Sequence, residues 1–197
     1  MKQLLRYVDP QGKLPDIKRS GDLLVIGSAK CVWEDLRRCP LEEGKFDRMG
    51  VNNIMADATF PLQHGVTLHP EKLPGWRFGQ DFLREKHGWP RMMVHSNRDV
   101  WPEHLVDCVW PIHRDGGTSG TMGAIVAPLL GYDRIILAGI PGDFSPRYFE
   151  PPWYLHQQFG KKEVFKEWVM LHDEVPMAKE KIRSMSGKTR ELFGSPF

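Results

Sequence analysis

The sequence has few cysteines and no long hydrophobic run. Its three cysteines are an odd number with no C-x-x-C pair, which excludes a disulfide framework and favours free thiols in a reducing compartment. No apolar run approaches the roughly 18 residues that a membrane-spanning helix needs. The N-terminus also has no signal-type apolar core, so we expect a cytoplasmic protein without a membrane span.

The sequence also has almost no net charge. Lys and Arg together number 27 and Asp and Glu 25, which leaves +2 at pH 7, so no global field drives the chain onto nucleic acid or membrane. With 197 residues, 41% of them hydrophobic and 26% charged, the chain has the composition of one globular domain with appendages.

Several motifs of common chemistries are missing. No G-x-G-x-x-G follows the first predicted strand, which argues against NAD and FAD. The sequence has no H-E-x-x-H, no G-x-S-x-G and no Asp-x-Asp pair. Gly187-Lys188-Thr189 looks like the end of a P-loop, but Ile182 stands where its first glycine is required. We therefore predict neither a resident cofactor nor a metal site.

Alternating apolar strands and helical stretches predict an α/β fold. Strands are predicted over 22–28, 49–53, 65–69, 91–95, 108–111 and 134–140, and the main helices over 71–85, 122–130, 161–174 and 177–193. This order predicts a Rossmann-like, mostly parallel sheet with helices on both faces. We expect a single domain, 1–197, with a core at 20–141, an aromatic lid loop at 142–160 and two C-terminal helices at 161–193.

Ligands of such sheets bind beyond the carboxyl ends of the strands, and the predicted strand ends here are polar or glycine-rich. The turn at Gly27-Ser28 precedes a helix, and so does the Gly116–Gly120 run. Helix N-termini offer unpaired N–H groups and a positive dipole end to a phosphate. A plain turn is the alternative at Gly27, and helix capping by Thr118 or Ser119 is the alternative at the second run.

Histidines and aromatic residues supply further candidates. His69, His95 and His113 fall at predicted strand ends, and His156 follows the aromatic loop. A general base is one role for such a histidine, and a hydrogen-bonded structural role is the alternative. For the aromatic residues of the loop, stacking on a ligand is one predicted role, and packing of the C-terminal helices against the sheet is the alternative. We take His113 and His156 as catalytic candidates, and four residues as substrate or lid candidates: His69, Asn97, Tyr148 and Tyr154.

Three segments together resemble a known group of proteins. They are Leu24-Val25-Ile26-Gly27-Ser28, Val51-Asn52, and the stretch from Thr118-Ser119-Gly120-Thr121-Met122 to Leu137-Ala138-Gly139-Ile140. The sequence resembles the bacterial lipooligosaccharide sialyltransferases and the related Rossmann-like proteins that include the archaeal-type 6-hydroxymethylpterin pyrophosphokinase. The similarity spans about residues 22–141.

The resemblance implies roles for several residues. Gly27, Ser28 and Asn52 or Asn53 would hold a nucleotide, with Ser119 and Gly120 lying against it. A histidine base in a lid, His156 or His172, and the tyrosines Tyr148 and Tyr154 would also be expected. Two positions depart from the family pattern. The first turn reads Gly-Ser-Ala-Lys instead of Gly-Asn-Gly-Pro-Ser, and Pro141 replaces the usual aspartate, for which Asp143 is the available substitute.

These observations predict a nucleotide- or nucleotide-sugar-dependent transferase that acts on a hydroxyl acceptor. It would be glycosyltransferase-like and metal-independent, with a nucleotide-sugar as co-substrate. Pyrophosphoryl transfer is a second chemistry for the same scaffold, but it needs Mg²⁺ and carboxylates such as Asp115 and Asp143. A non-catalytic binding or assembly protein is the alternative from another class, with its basic C-terminal helices facing a protein or nucleic-acid partner.

Overall fold

Seven parallel strands form a central sheet. The computed structural model describes residues 19–100, 105–110, 118–143, 145–151 and 163–197. The strands are β1 (Asp22–Ile26), β2 (Phe46–Val51), β3 (His64–Thr67), β4 (Met93–Ser96), β5 (Cys108–Val109), β6 (Arg134–Ala138) and β7 (Ile182–Ser184). Their order across the sheet is β5-β4-β3-β2-β1-β6-β7. The predicted parallel α/β sheet is confirmed.

The helices lie on both faces of this sheet, as predicted. They are α1 (Val32–Arg37), α2 (Ile54–Asp57), α3 (Leu73–His87), α4 (Ser119–Leu129), α5 (Glu163–Glu174), α6 (Pro176–Lys181) and α7 (Gly187–Phe193), and a 3₁₀ turn, Pro70–Lys72, precedes α3. Among the described helices, none combines the length and apolar character that crossing a membrane requires.

Alternation along the strands builds two hydrophobic cores. In β1, Leu23 and Val25 pack into the core that contains α4 and α5, whereas Leu24 and Ile26 pack into the core that contains α1, α2 and α3. Successive side chains of a strand point to opposite faces, so a strand covered by helices on both faces is apolar throughout. This explains why the first strand is a continuous apolar run in the sequence.

The order of the strands reverses between β1 and β6. The chain adds β2 to β5 on one side of β1, and α4 then returns it to the other side, where β6 pairs with β1 from Asp22↔Arg134 to Ile26↔Ala138. In open α/β sheets such a switch point leaves a crevice, because the loops that follow its two strands diverge. The topology therefore places a candidate site at the carboxyl ends of β1 and β6.

The prediction of one helix over 177–193 is wrong. Residues Ile182–Ser184 form β7 instead, with Ile182 paired to Ile135 and Ser184 to Leu137. The spacing of Ala178, Ile182 and Met185 fits a helical period. However, the unpaired edge of β6 offers backbone hydrogen bonds that a short strand can satisfy. The core thus extends beyond 141, and the C-terminal segment carries three helices around an edge strand.

Candidate functional site

A cavity of about 160 Å³ lies at the switch point. The ends of β1, β2 and β6, the first turn of α4 and the ring of Trp168 on α5 form its wall. The lining residues are Gly27, Ser28, Ala29, Val51, Thr118, Gly120, Gly139, Ile140, Pro141, Gly142, Asp143 and Trp168. Four of the predicted nucleotide-binding residues, Gly27, Ser28, Gly120 and Asp143, are therefore brought together.

Two glycines let the loops after β1 and β6 touch. A Cβ at Gly27 would lie 2.5 Å from the carbonyl oxygen of Gly139, and a Cβ at Gly139 would lie 2.5 Å from the carbonyl oxygen of Gly27. Gly139 also has φ +64°, which favours glycine. The backbone N–H of Ala29 donates to Gly139 at 3.1 Å. Packing of the protein against itself therefore accounts for these two glycines.

Side chains from distant parts of the sequence hold the loop after β6. Buried Asp35 of α1 accepts hydrogen bonds from the Gly139 backbone N–H and the Ser186 hydroxyl, each at 2.8 Å. The Thr189 hydroxyl of α7 donates to the Ile140 carbonyl at 2.6 Å, and the Thr189 backbone N–H donates to the Pro141 carbonyl at 3.1 Å. These supporting contacts were not predicted from the sequence, because no local residue pattern indicates them.

The N-terminus of α4 borders the cavity. Thr118 caps the helix, because its hydroxyl accepts from the Thr121 backbone N–H while the Thr121 hydroxyl accepts from the Thr118 backbone N–H. Gly120, in the first turn, lines the cavity, and the first turn of a helix carries N–H groups without intrahelical partners. Ser119 instead takes a hydrogen bond from the Leu68 backbone N–H at 3.0 Å and is not among the lining residues.

Asp143 is the charged residue among the described residues that line the cavity. Its Oδ1 accepts from the Ser145 backbone N–H at 2.8 Å and from the Ser145 hydroxyl. No Lys, Arg or His occurs among the described residues that line the cavity. Within the described ranges, no cluster of three or more His, Cys, Asp or Glu side chains could hold a metal ion.

The asparagines at the strand ends lie beside the cavity or farther along the sheet edge. Asn52 follows Val51 with φ +52°, the left-handed conformation that asparagine tolerates better than most residues. Its Oδ1, like that of Asn97 after β4, is buried and has no hydrogen-bond partner in the described part of the chain. Asn53 begins α2 without a side-chain cap. Their role in nucleotide or substrate binding stays a prediction.

The other predicted site residues lie off the cavity lining or outside the described residues. His69 is about half exposed, with Nδ1 3.5 Å from Glu71. The Tyr148 hydroxyl donates to the Asp57 carboxylate. Burial and this hydrogen bond raise the pKa of Tyr148 above its usual value, so it stays protonated. Three candidates fall outside the described residues: His113, His156 and Tyr154.

His95 has a structural role and is not an accessible base. The Trp110 indole donates to His95 Nδ1 at 3.1 Å, and His95 Nε2 lies 3.0 Å from His64 Nδ1. His64 Nε2 lies 2.9 Å from the Tyr132 hydroxyl, which donates to the Asp47 carboxylate. Because an indole is only a donor, His95 must accept at Nδ1. Each group in this hydrogen-bonded chain of side chains then donates to the next one, and the series ends at the Asp47 carboxylate.

Burial keeps both histidines of this chain neutral. His64 and His95 are completely buried. Desolvation, assisted by Arg19, lowers the pKa of His64 from 6.5 to about 4. Desolvation and the neighbouring His64 lower the pKa of His95 well below its ordinary value. The structural alternative for His95 is therefore correct.

Comparisons with known proteins support the fold. No protein-family model matches the sequence, and no curated protein matches it. A solved structure does match, that of the sialyltransferase CstII from Campylobacter jejuni in complex with the substrate analogue cytidine-5'-monophosphate. The TM-score is 0.56 at 16% identity, over 88% of this chain and 84% of that chain. The predicted distant resemblance is thus confirmed at the level of the fold: this chain and that sialyltransferase share a Rossmann-like α/β architecture.

Proposed function

We propose that the switch-point cavity binds a nucleotide or nucleotide-sugar, and that the protein transfers the sugar to a hydroxyl acceptor. The observation that carries this proposal is the cavity itself, which is lined by glycines and bordered by the N-terminus of α4. It lies at the topological position where α/β sheets bind nucleotides. The sialyltransferase that shares the fold was solved with cytidine-5'-monophosphate.

The chemistry of the wall fits the phosphate and ribose of a nucleotide. The open N–H groups and the positive dipole end at the first turn of α4 favour an anion. The Asp143 carboxylate, on the loop after β6, is an acceptor for hydroxyl groups. Charge on the leaving nucleotide would be stabilised by N–H donors, which agrees with a sequence that has no Asp-x-Asp pair for a divalent metal.

The acceptor hydroxyl needs a general base, and we propose that His113 or His156 is this base. Both are histidines whose ordinary pKa, near 6.5, suits proton transfer at neutral pH. His64 and His95 do not compete for this role, because they are buried in a hydrogen-bonded chain.

A thermal-shift panel tests the binding step. The ligands are nucleoside mono- and diphosphates and nucleotide-sugars, each with and without Mg²⁺. A ligand at 100 times its dissociation constant stabilises the fold by about 2.7 kcal/mol, which for a protein of this size raises Tm by about 5–11 °C. We expect one base to give the largest shift, and the shift not to require Mg²⁺. No shift across the panel would contradict the proposal.

A matched pair of glycine variants locates the binding site. A Cβ at Gly120 would meet Ile140 at 3.4 Å and Thr118 at 3.6 Å, ordinary contact distances, so Gly120→Ala adds a methyl group to the cavity wall without a clash. At Gly75, in the first turn of α3, a Cβ would meet nothing within 4 Å. Alanine stabilises a helix by up to about 1 kcal/mol relative to glycine, so neither variant should lose stability.

Only one variant of the pair should lose affinity. We expect Gly120→Ala to weaken binding of the nucleotide that gives the largest shift by tenfold or more, because its methyl group intrudes on the cavity. Gly75→Ala should bind that nucleotide as the wild type does. Equal affinity for all three proteins would place the nucleotide outside this cavity.

A further inference from the structure

One indole N–H donor at the cavity wall has no hydrogen-bond partner among the described residues. Trp168 of α5 is 1% exposed and lines the cavity. Its indole nitrogen makes no hydrogen bond within the described part of the chain. Indole N–H groups of buried tryptophans usually find a partner, so the Trp168 N–H is available to an acceptor that enters the cavity. Trp110, by contrast, donates its indole N–H to His95 at 3.1 Å.

The positions of two glycines show where the indole N–H edge faces. A Cβ at Gly142 would lie 3.5 Å from Cδ1 of Trp168, and a Cβ at Gly120 would lie 3.7 Å from Cζ2. Cδ1 and Cζ2 flank Nε1 along one edge of an indole ring. Both glycines line the cavity, so the N–H edge lies between the loop after β6 and the first turn of α4.

A neighbouring aromatic ring holds the Trp168 indole in this position. The Phe193 ring of α7 packs edge-to-face against it, with centroids 6.1 Å apart and an interplanar angle of 82°. Two rings in such contact resist reorientation, because the core is close-packed. The donor is therefore pre-positioned at the cavity wall.

We propose that Trp168 donates its indole N–H to a phosphate oxygen of the bound nucleotide. The inference rests on the proposed function and adds a residue to its site. The indole and the first turn of α4 both present N–H donors at Gly120, and the positive end of the helix dipole is there too. An anionic, acceptor-only group satisfies all of these donors at once, and phosphate is the part of a nucleotide with that chemistry.

An NMR titration of the indole groups tests the proposal on the intact wild-type protein. The seven tryptophans give indole N–H signals that are assigned by through-bond experiments. The probes are the four nucleoside 5'-monophosphates, each compared with its nucleoside. We expect the Trp168 indole proton to move downfield with the monophosphate that binds and not with the nucleoside. The Trp110 signal should stay in place, because that N–H is already bonded to His95.

Trp168→Phe gives the matching affinity measurement. Phenylalanine keeps an aromatic ring against Phe193 but has no N–H donor. A hydrogen bond to a charged group corresponds to about 10- to 100-fold in affinity, so the monophosphate should bind that much more weakly and the nucleoside almost unchanged. If this variant does not fold, substitution of Trp168 with benzothienylalanine removes the N–H while keeping the shape of the ring.

The outcomes separate this proposal from the one on which it rests. Wild-type protein that binds no nucleotide overturns both. Nucleotide binding with an unmoved Trp168 signal overturns the role of Trp168 alone, and so does equal loss of monophosphate and nucleoside in the variant. A downfield shift together with a phosphate-dependent loss supports it.

Discussion

Acidification from pH 7 to pH 5 should destabilise the fold through His64. The pKa of His64 is lowered from 6.5 to about 4 by burial and by Arg19. Between these two values the unfolded chain binds a proton that the folded chain does not. The contribution of neutral His64 to the free energy of unfolding is therefore fully present above pH 6.5 and is lost progressively as the pH falls from 6.5 to about 4.

The size of the effect follows from the linkage relation. From pH 6.5 to pH 5, at 1.36 kcal/mol per pH unit, His64 alone lowers the free energy of unfolding by about 2 kcal/mol. For a chain of this length that corresponds to a fall in Tm of about 4–8 °C. His95 changes the stability in the same direction, because its pKa is also lowered.

Calorimetric melts at pH 7, 6 and 5 measure this slope in three proteins. His64→Gln interrupts the buried chain and should be less stable at pH 7, but its loss between pH 7 and 5 should be smaller by about 2 kcal/mol. His87→Gln, at the exposed end of α3, should keep the wild-type slope. If all three proteins share one slope, protonation of His64 does not control the acid stability and our reasoning is wrong.

Two further predictions concern the support of the cavity wall. Thr189→Val removes the hydroxyl that donates to the Ile140 carbonyl and should cost about 1–3 kcal/mol in urea denaturation, whereas Thr189→Ser should retain most of the stability. Asp35→Ala leaves the Gly139 N–H and the Ser186 hydroxyl without their acceptor and should cost about 3 kcal/mol. The neighbouring Glu34→Ala, which breaks an exposed ion pair with Arg37, should cost less than about 1 kcal/mol; similar losses for Asp35→Ala and Glu34→Ala would refute the role of Asp35.

The strands at the centre of the sheet were predictable because their own residues decide them. The observed β1, Asp22–Ile26, and β6, Arg134–Ala138, lie within the predicted ranges 22–28 and 134–140. After their charged first residues, both are continuous apolar runs, which is typical of strands covered on both faces. The carboxyl edge of the sheet was predicted as the place of a site, since polar and glycine-rich residues follow both strands.

Other parts depend on contacts that no local pattern records. β7 is three residues long, and pairing with β6 outweighs the helical spacing around it. The support from Asp35 and Thr189 joins segments that are more than a hundred and about fifty residues apart in the chain. Trp168 is an apolar-face residue by its spacing on the helix, and only the packing shows that its N–H edge reaches the cavity.

A structure of the protein in complex with the nucleotide that gives the largest thermal shift tests the central claim most directly. Our account predicts the nucleotide at the switch point, with its phosphate at the first turn of α4 within hydrogen-bond distance of Trp168 Nε1, and its ribose toward the loop after β6. A nucleotide bound elsewhere on the protein, or an empty cavity at saturating ligand, would contradict it.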